Sequence, residues 1–222
     1  RNFANKLWNA TRFRQMQGPA GSERGPLSLY AIDILAKLEA LEADMDEALG
    51  EYRFNDAGNL LYQFFWSEYC DWYLELSKPV IQKGTAEEQN ATRYTLLHVL
   101  ECSLRTLHPI MPFITEEIWQ RLKGPLNIEG DSIMLQAFPE AGEIDEQAEE
   151  DIGWLQKVLQ GVRTIRAELN VSPGKVLDVA FQSGTVTDRE RQELFAGLLS
   201  GVGKIGTSQW LEDDADTSEY SV

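Results

Sequence analysis

Apolar residues recur three and four positions apart through about the first 140 residues, and proline or glycine interrupts each run before the next begins. The first run, from about Arg1 to Met16, carries Phe3, Leu7, Trp8 and Phe13. It ends in the stretch from Gly18 to Pro26, whose two prolines and three glycines forbid continuation of a helix. A second run covers roughly Leu27 to Gly50, with Ile34, Leu38, Leu41, Met45 and Leu49 on one stripe. A third opens at Phe54 and Asn55 and is expected to stop before Pro79. The fourth begins near Thr85 and carries Tyr94, Leu97, Leu100, Leu104 and Leu107 as far as His108. Pro109 and Pro112 break it, and Thr115 is expected to cap a fifth helix whose positive end faces Glu116 and Glu117. Short loops between long amphipathic helices predict an antiparallel bundle.

Beyond Gly124 the pattern changes. Ile133 to Phe138 reads as a short extended segment, and the acidic stretch 141–151 as a linker. A helix from Ile152 to Leu169 ends at Asn170, with Pro173 and Gly174 just beyond. Val176, Val179 and Phe181 form a β-branched and aromatic run, Arg189 to Leu199 is helical, and Lys204 to Leu211 returns as a strand. The expected fold class is therefore mainly α. A helical bundle occupies residues 1–140, a helix with a small β-α-β element occupies 152–211, and an acidic, disordered tail occupies 212–222.

The aromatic content is concentrated in the third run. From Leu60 to Tyr73, seven of fourteen residues are aromatic, with Glu68 and Asp71 among them. As an α-helix, the segment places Leu61, Phe65, Trp72 and Leu76 on one stripe, with Leu60 and Phe64 beside it. Aromatics at this spacing are core, so truncating Trp72 is expected to unfold the bundle.

Composition narrows the setting. No apolar run reaches the length of a membrane span, no signal peptide is visible, and mean hydropathy is −0.33. Cys70 and Cys102 both fall inside helical patterns, so a reducing, cytoplasmic setting is expected instead of a disulfide framework. The chain opens on Arg1, already in a helical pattern, and reads as a piece of something longer. Net charge is −16, which argues against an indiscriminate nucleic-acid binder. The imbalance is uneven, however. Arg1, Lys6, Arg12, Arg14 and Arg24 face a single acid, Glu23, in the first 24 residues. Acid concentrates in Glu39 to Glu51, Glu140 to Asp151 and the tail. A polyanion would find a compatible field only at the N-terminal helix.

Catalytic patterns are missing. The chain has neither phosphate-binding glycine motif, and its Ser, His and Asp residues lack a nucleophile-elbow context. His98 and Cys102 stand four apart without a second pair at metal-site spacing, and both read as structural. Glu68 and Asp71 read as caps, as partners for lysine or arginine, or as solvated groups, more readily than as an acid-base pair. No catalytic residue and no metal ligand is assigned.

Recognition chemistry remains. Single-stranded bases are read by stacking on aromatic faces and by hydrogen bonds to their edges, while basic residues hold phosphates. The N-terminal helix offers Phe3, Trp8 and Phe13 for stacking, Asn2, Asn5 and Asn9 for base edges, and Arg1, Lys6, Arg12 and Arg14 for charge. A solvated basic bundle helix has the same composition. A protein-interaction bundle using the acidic face is the alternative from another functional class.

Four strings in order, RNFANKLWNATRF, WSEYCDWYLELSKP, LHPIMPFITEEIW and IRAELNVSPGK, resemble the C-terminal, anticodon-binding part of the bacterial valyl-tRNA synthetase family of class I aminoacyl-tRNA synthetases. The likeness runs to about Trp210, and CDWYLE favours the valine branch over the isoleucine and leucine branches. It implies a helical anticodon-binding domain up to about residue 140 and the start of a junction from about residue 150. The HIGH and KMSKS signatures are not in this sequence. The resemblance thus implies the tRNA-gripping fragment of an ATP-dependent valine–tRNA ligase, itself without an active site or cofactor. ATP and magnesium would belong to the catalytic core. The implied partners are the tRNA(Val) anticodon stem-loop and the catalytic and editing domains of the same chain, in a monomer without a membrane.

Residue by residue, the resemblance implies that Phe13 stacks on an anticodon base, with Arg12, Asn9, Lys6 and Arg1 near neighbouring bases or phosphates. Arg14 stands where the family usually has an apolar residue, and is expected to contact a phosphate or face solvent. Arg163, Arg166 and Lys175, expected on one side of the later helix and its loop, form a second set for the tRNA backbone.

Overall fold

The structure is a computed structural model that describes residues 2–19, 25–140 and 145–212. Arg1 and the tail 213–222 lie outside the described residues, and with them the expectations placed there. The chain divides into two compact units, Arg1–Ala148 and Glu149–Val222.

The first unit is the expected helical bundle. It comprises α1 (Asn2–Met16), α2 (Leu29–Gly50), α3 (Phe54–Gln63), a π-helical segment (Phe64–Tyr73), α4 (Leu74–Lys83), α5 (Ala86–Leu107), α6 (Pro112–Leu122) and a 3₁₀ turn (Ile133–Leu135). Helix α5 is the hub and packs against α1, α2, α3, α4 and α6. Its Leu96, Val99, Leu100 and Leu104 are completely buried. Its start is fixed by a reciprocal cap. The Glu88 amide donates to Thr85 Oγ1 at 3.2 Å, and the Thr85 amide donates to Glu88 Oε2 at 2.7 Å. Ser28 caps α2 in the same sense, accepting from the Ala31 amide.

Several boundaries differ from expectation. Helix α6 starts at Pro112, not Thr115, because proline suits a first helical position where no amide donor is needed. Thr115 is buried one turn in, with its hydroxyl 2.8 Å from the Met111 carbonyl and 2.7 Å from His108 Nδ1. Pro79 lies inside α4 instead of ending the helix before it. Ile133 to Phe138 is no strand, since Glu116 takes the Ser132 hydroxyl and the Ile133 amide and folds this stretch into the 3₁₀ turn. The stretch expected as a linker is helical from Glu146.

The aromatic stretch also departs from the α-helical expectation. Phe64–Tyr73 adopts the wider π-helical winding, whose hydrogen bonds skip one residue further than in an α-helix. Phe65, Tyr69 and Tyr73, four apart and so near one face in either winding, share the core. Neighbouring rings in this series lie 5.3 and 6.2 Å apart, and the Tyr69 hydroxyl donates to the Leu96 carbonyl at 2.8 Å. Trp72, seven residues after Phe65, is carried off that face and is only half-buried. The expectation that it anchors the core is corrected: Phe65, Tyr69 and Tyr73 do so.

The second unit takes most of α7 (Glu146–Glu168), then β1 (Leu177–Phe181), α8 (Val186–Leu194), α9 (Ala196–Gly201) and β2 (Ile205–Trp210). The strands pair in parallel, Leu177 with Ile205 and Phe181 with Trp210, as the strand-helix-strand reading requires. Asn170 takes the left-handed conformation (φ 52°) just beyond α7, the backbone turn that ends a helix. Ile152, Leu155, Leu159, Phe195, Leu199 and Ile205 are buried in this unit.

Candidate nucleic-acid interface

Helix α1 divides cleanly by its period. Leu7, Ala10, Thr11 and Arg14 are buried, while Asn2, Asn5, Asn9 and Arg12 are exposed along the opposite stripe. Three carboxamides and one guanidinium therefore project from a single face. Amides both donate and accept, and a guanidinium offers five donors, so this stripe can meet base edges and phosphates.

Phe13 is half-buried beside that stripe. Lys78 Nζ, from α4, lies 5.8 Å from the Phe13 ring centroid. An aromatic ring with a cation beside it, next to Arg12, fits base stacking with phosphate capture. The nearness of Lys78 to Phe13 is not legible from sequence, because the two residues lie on separate helices far apart in the chain. Glu75 pairs with Lys78 and offsets part of its charge.

The other aromatics of α1 are engaged within the fold. Phe3 lies 5.6 Å from Tyr62 and 5.7 Å from Phe65, and the Trp8 ring carries the Arg121 guanidinium at 5.0 Å. Lys6 donates to Asp71 at 2.7 Å and sits 4.5 Å from the Trp66 ring centroid. Lys37 reaches Glu68 at 2.8 Å and Asp33 at 3.1 Å. The two carboxylates of the aromatic segment thus tie α1 and α2 to it, in keeping with the pairing read from sequence.

Two expected phosphate contacts are corrected. Arg14 is 3% exposed, so it neither faces solvent nor presents itself to a phosphate. Its Nε donates to the Arg93 carbonyl at 3.0 Å and its Nη1 to the Gly18 carbonyl at 2.9 Å. Burial pushes its pKa down from the usual arginine value. Gly18 supports this arrangement with a left-handed turn (φ 83°) just past α1. Arg166 is 7% exposed and donates to the carbonyls of Ser172, Gly203 and Lys204, tying α7 to the start of β2. Arg163 and Lys175 are exposed, so the expected trio does not share one accessible side. Arg1 lies outside the described residues.

Both thiols are buried, which pushes Cys70 and Cys102 up to about 12 and leaves them unreactive as nucleophiles. Among the described residues no cluster of three His, Cys, Asp or Glu side chains is placed to hold a metal ion. No helix among them is long and apolar enough to cross a membrane.

Comparison with known proteins bears on this geometry. Two curated relatives, the valine–tRNA ligases of Xanthomonas campestris pv. campestris strains B100 and 8004, are each 42% identical over 218 residues. Each alignment covers 95% of this chain and 23% of the relative, so the chain spans less than a quarter of the length of the curated relatives it matches. The family described as the anticodon-binding domain of tRNA ligase matches residues 32–181, a range that begins in α2 and ends with β1. That match covers more than half of the sequence, and the chain belongs to the family of anticodon-binding domains of tRNA ligases.

Proposed function

We propose that this chain reads the anticodon of a valine tRNA with the outer face of α1, as part of an ATP-dependent valine–tRNA ligase. The observation that carries the reading is the single face formed by Asn5, Asn9 and Arg12, with Phe13 beside it and Lys78 over its ring. Phe13 stacks on one base, the exposed amides read neighbouring edges, and Arg12 and Lys78 hold phosphates. Lys6 contributes through the position of α1 more than through direct contact, because Asp71 and Trp66 already occupy it. The acidic remainder of the surface repels misplaced phosphate and confines binding to this face. ATP, magnesium and the reacting carbonyl belong to a catalytic core elsewhere in the whole enzyme.

A stacked base is worth roughly 1–3 kcal/mol, about a tenfold to hundredfold change in affinity. Phe13→Ala is expected to weaken binding of a valine anticodon stem-loop by that factor while the thermal melt stays in place. Titration of valine and isoleucine stem-loops at two salt concentrations checks this. Binding by the wild-type chain should be stronger for the valine loop and fall steeply with salt. Unchanged affinity in Phe13→Ala would remove the stacking assignment. Indifference to RNA altogether would favour a protein-binding acidic bundle.

A further inference from the structure

A cleft of about 370 Å³ opens between α2, α5 and the segment 137–140, within the first unit. Leu35, Leu38 and Phe138 supply apolar wall, and Glu42 lines it from α2. Glu42 is only 4% exposed, yet its Oε1 has no hydrogen-bond partner among the described residues. Folded proteins rarely leave such an atom orphaned, because a desolvated carboxylate costs stability that only a donor offsets.

The cation in the cleft, Arg105, acts on Glu42 through its charge but gives its donors to other groups. Arg105 Nε donates to both Glu101 oxygens at 2.9 and 3.0 Å, Nη1 to the Ala137 carbonyl at 2.9 Å, and Nη2 faces Cys102 Sγ at 3.3 Å. Among the described residues, the ionisable groups around Glu42 are Glu39 on its own helix, His98, Glu101, Cys102 and Arg105 on α5, and Glu140 on the third wall. Acid outnumbers base there. Burial, opposed by Arg105 and reinforced by Glu39 and Glu101, pushes the Glu42 carboxyl up to about 7.

We propose that this cleft binds an organic cation, a guanidinium or primary ammonium group on a short aliphatic stem, with its N–H donors on Glu42. A guanidinium presents paired donors that match a carboxylate, and its methylene stem suits the leucine and phenylalanine walls. A metal ion fits less well, since the described residues hold no three-ligand cluster and the Cys102 thiol stays protonated. The cation can be a free small molecule or the side chain of an arginine in a peptide. This inference is independent of the nucleic-acid reading.

The test is a titration of the intact chain with agmatine and, separately, with a blocked arginine amide, followed by amide NMR shifts and calorimetry. Saturable shifts confined to the cleft residues of α2, α5 and 137–140 are expected with at least one ligand, and the ligand that binds identifies the source. Glu42→Gln preserves shape and removes the charge. It should fold as well as the wild type and lose about tenfold or more in affinity. Lowering the pH from about 8 to about 5 protonates Glu42 and should weaken binding in the wild type but not in Glu42→Gln. Shifts scattered over the acidic surface, affinity unchanged in Glu42→Gln, or no saturable binding by either ligand would overturn the proposal.

Discussion

Trp119→Ala is expected to lower the unfolding free energy of the helical unit by roughly 3–5 kcal/mol, the range for truncating a fully buried tryptophan. Trp119 is completely buried on α6, and its indole N–H donates to Glu101 Oε1 at 2.9 Å. Truncation therefore creates a cavity between α5 and α6 and also takes one donor from a buried carboxylate. Glu101 would keep Arg105, so the charge is not stranded, and the cavity is the larger part of the cost. Trp119→Phe separates the two effects. It retains most of the apolar volume and loses the hydrogen bond, at about 1–3 kcal/mol. Urea titration followed by circular dichroism measures both. A melt for Trp119→Ala within about 1 kcal/mol of the wild type would show that α6 is not locked into the core through this residue.

The bundle was legible because apolar residues recur along one face of each helix and proline or glycine separates the runs. The fourth run begins near Thr85, where α5 is capped, and its leucines recur with helical period. The small parallel element was legible from the β-branched run around Val179. The π-helical winding was not, because side chains four apart share a face in either winding and apolar residues also fill the α-helical stripe through Trp72. An α-helical period puts Trp72 on the core stripe, whereas in the π winding Tyr69 and Tyr73 are buried and Trp72 is only half-buried. Lys78 could not be placed beside Phe13 without knowing how α4 packs.

The two arginines are a different case. Arg14 lies seven residues after Leu7, and Arg166 seven after Leu159, so helical period alone puts both on buried faces. Their charge suggests phosphate, but their partners are backbone carbonyls, some of them from distant residues that a sequence does not reveal. Period was the better guide than residue type.

Arg14→Met therefore separates a structural role from an RNA-binding one. It keeps much of the side-chain volume and removes the donors that satisfy the Arg93 and Gly18 carbonyls. Hydrogen bonds from a charged group are worth about 1.5–3 kcal/mol each, and removing the buried charge returns part of that, so a net loss of roughly 2–4 kcal/mol is expected. Arg14→Lys keeps the charge but lacks the planar fork that spans two carbonyls, and should fall between the two. In RNA titrations well below the melt, the structural role leaves the dependence of stem-loop affinity on salt unchanged. A phosphate contact would do the reverse, leaving the melt in place and reducing the salt slope by about one ion. Arg12, exposed on the opposite stripe of the same helix, is the internal control. Arg12→Met should reduce that slope and hold the melting temperature, so the two neighbours are expected to fail in opposite assays.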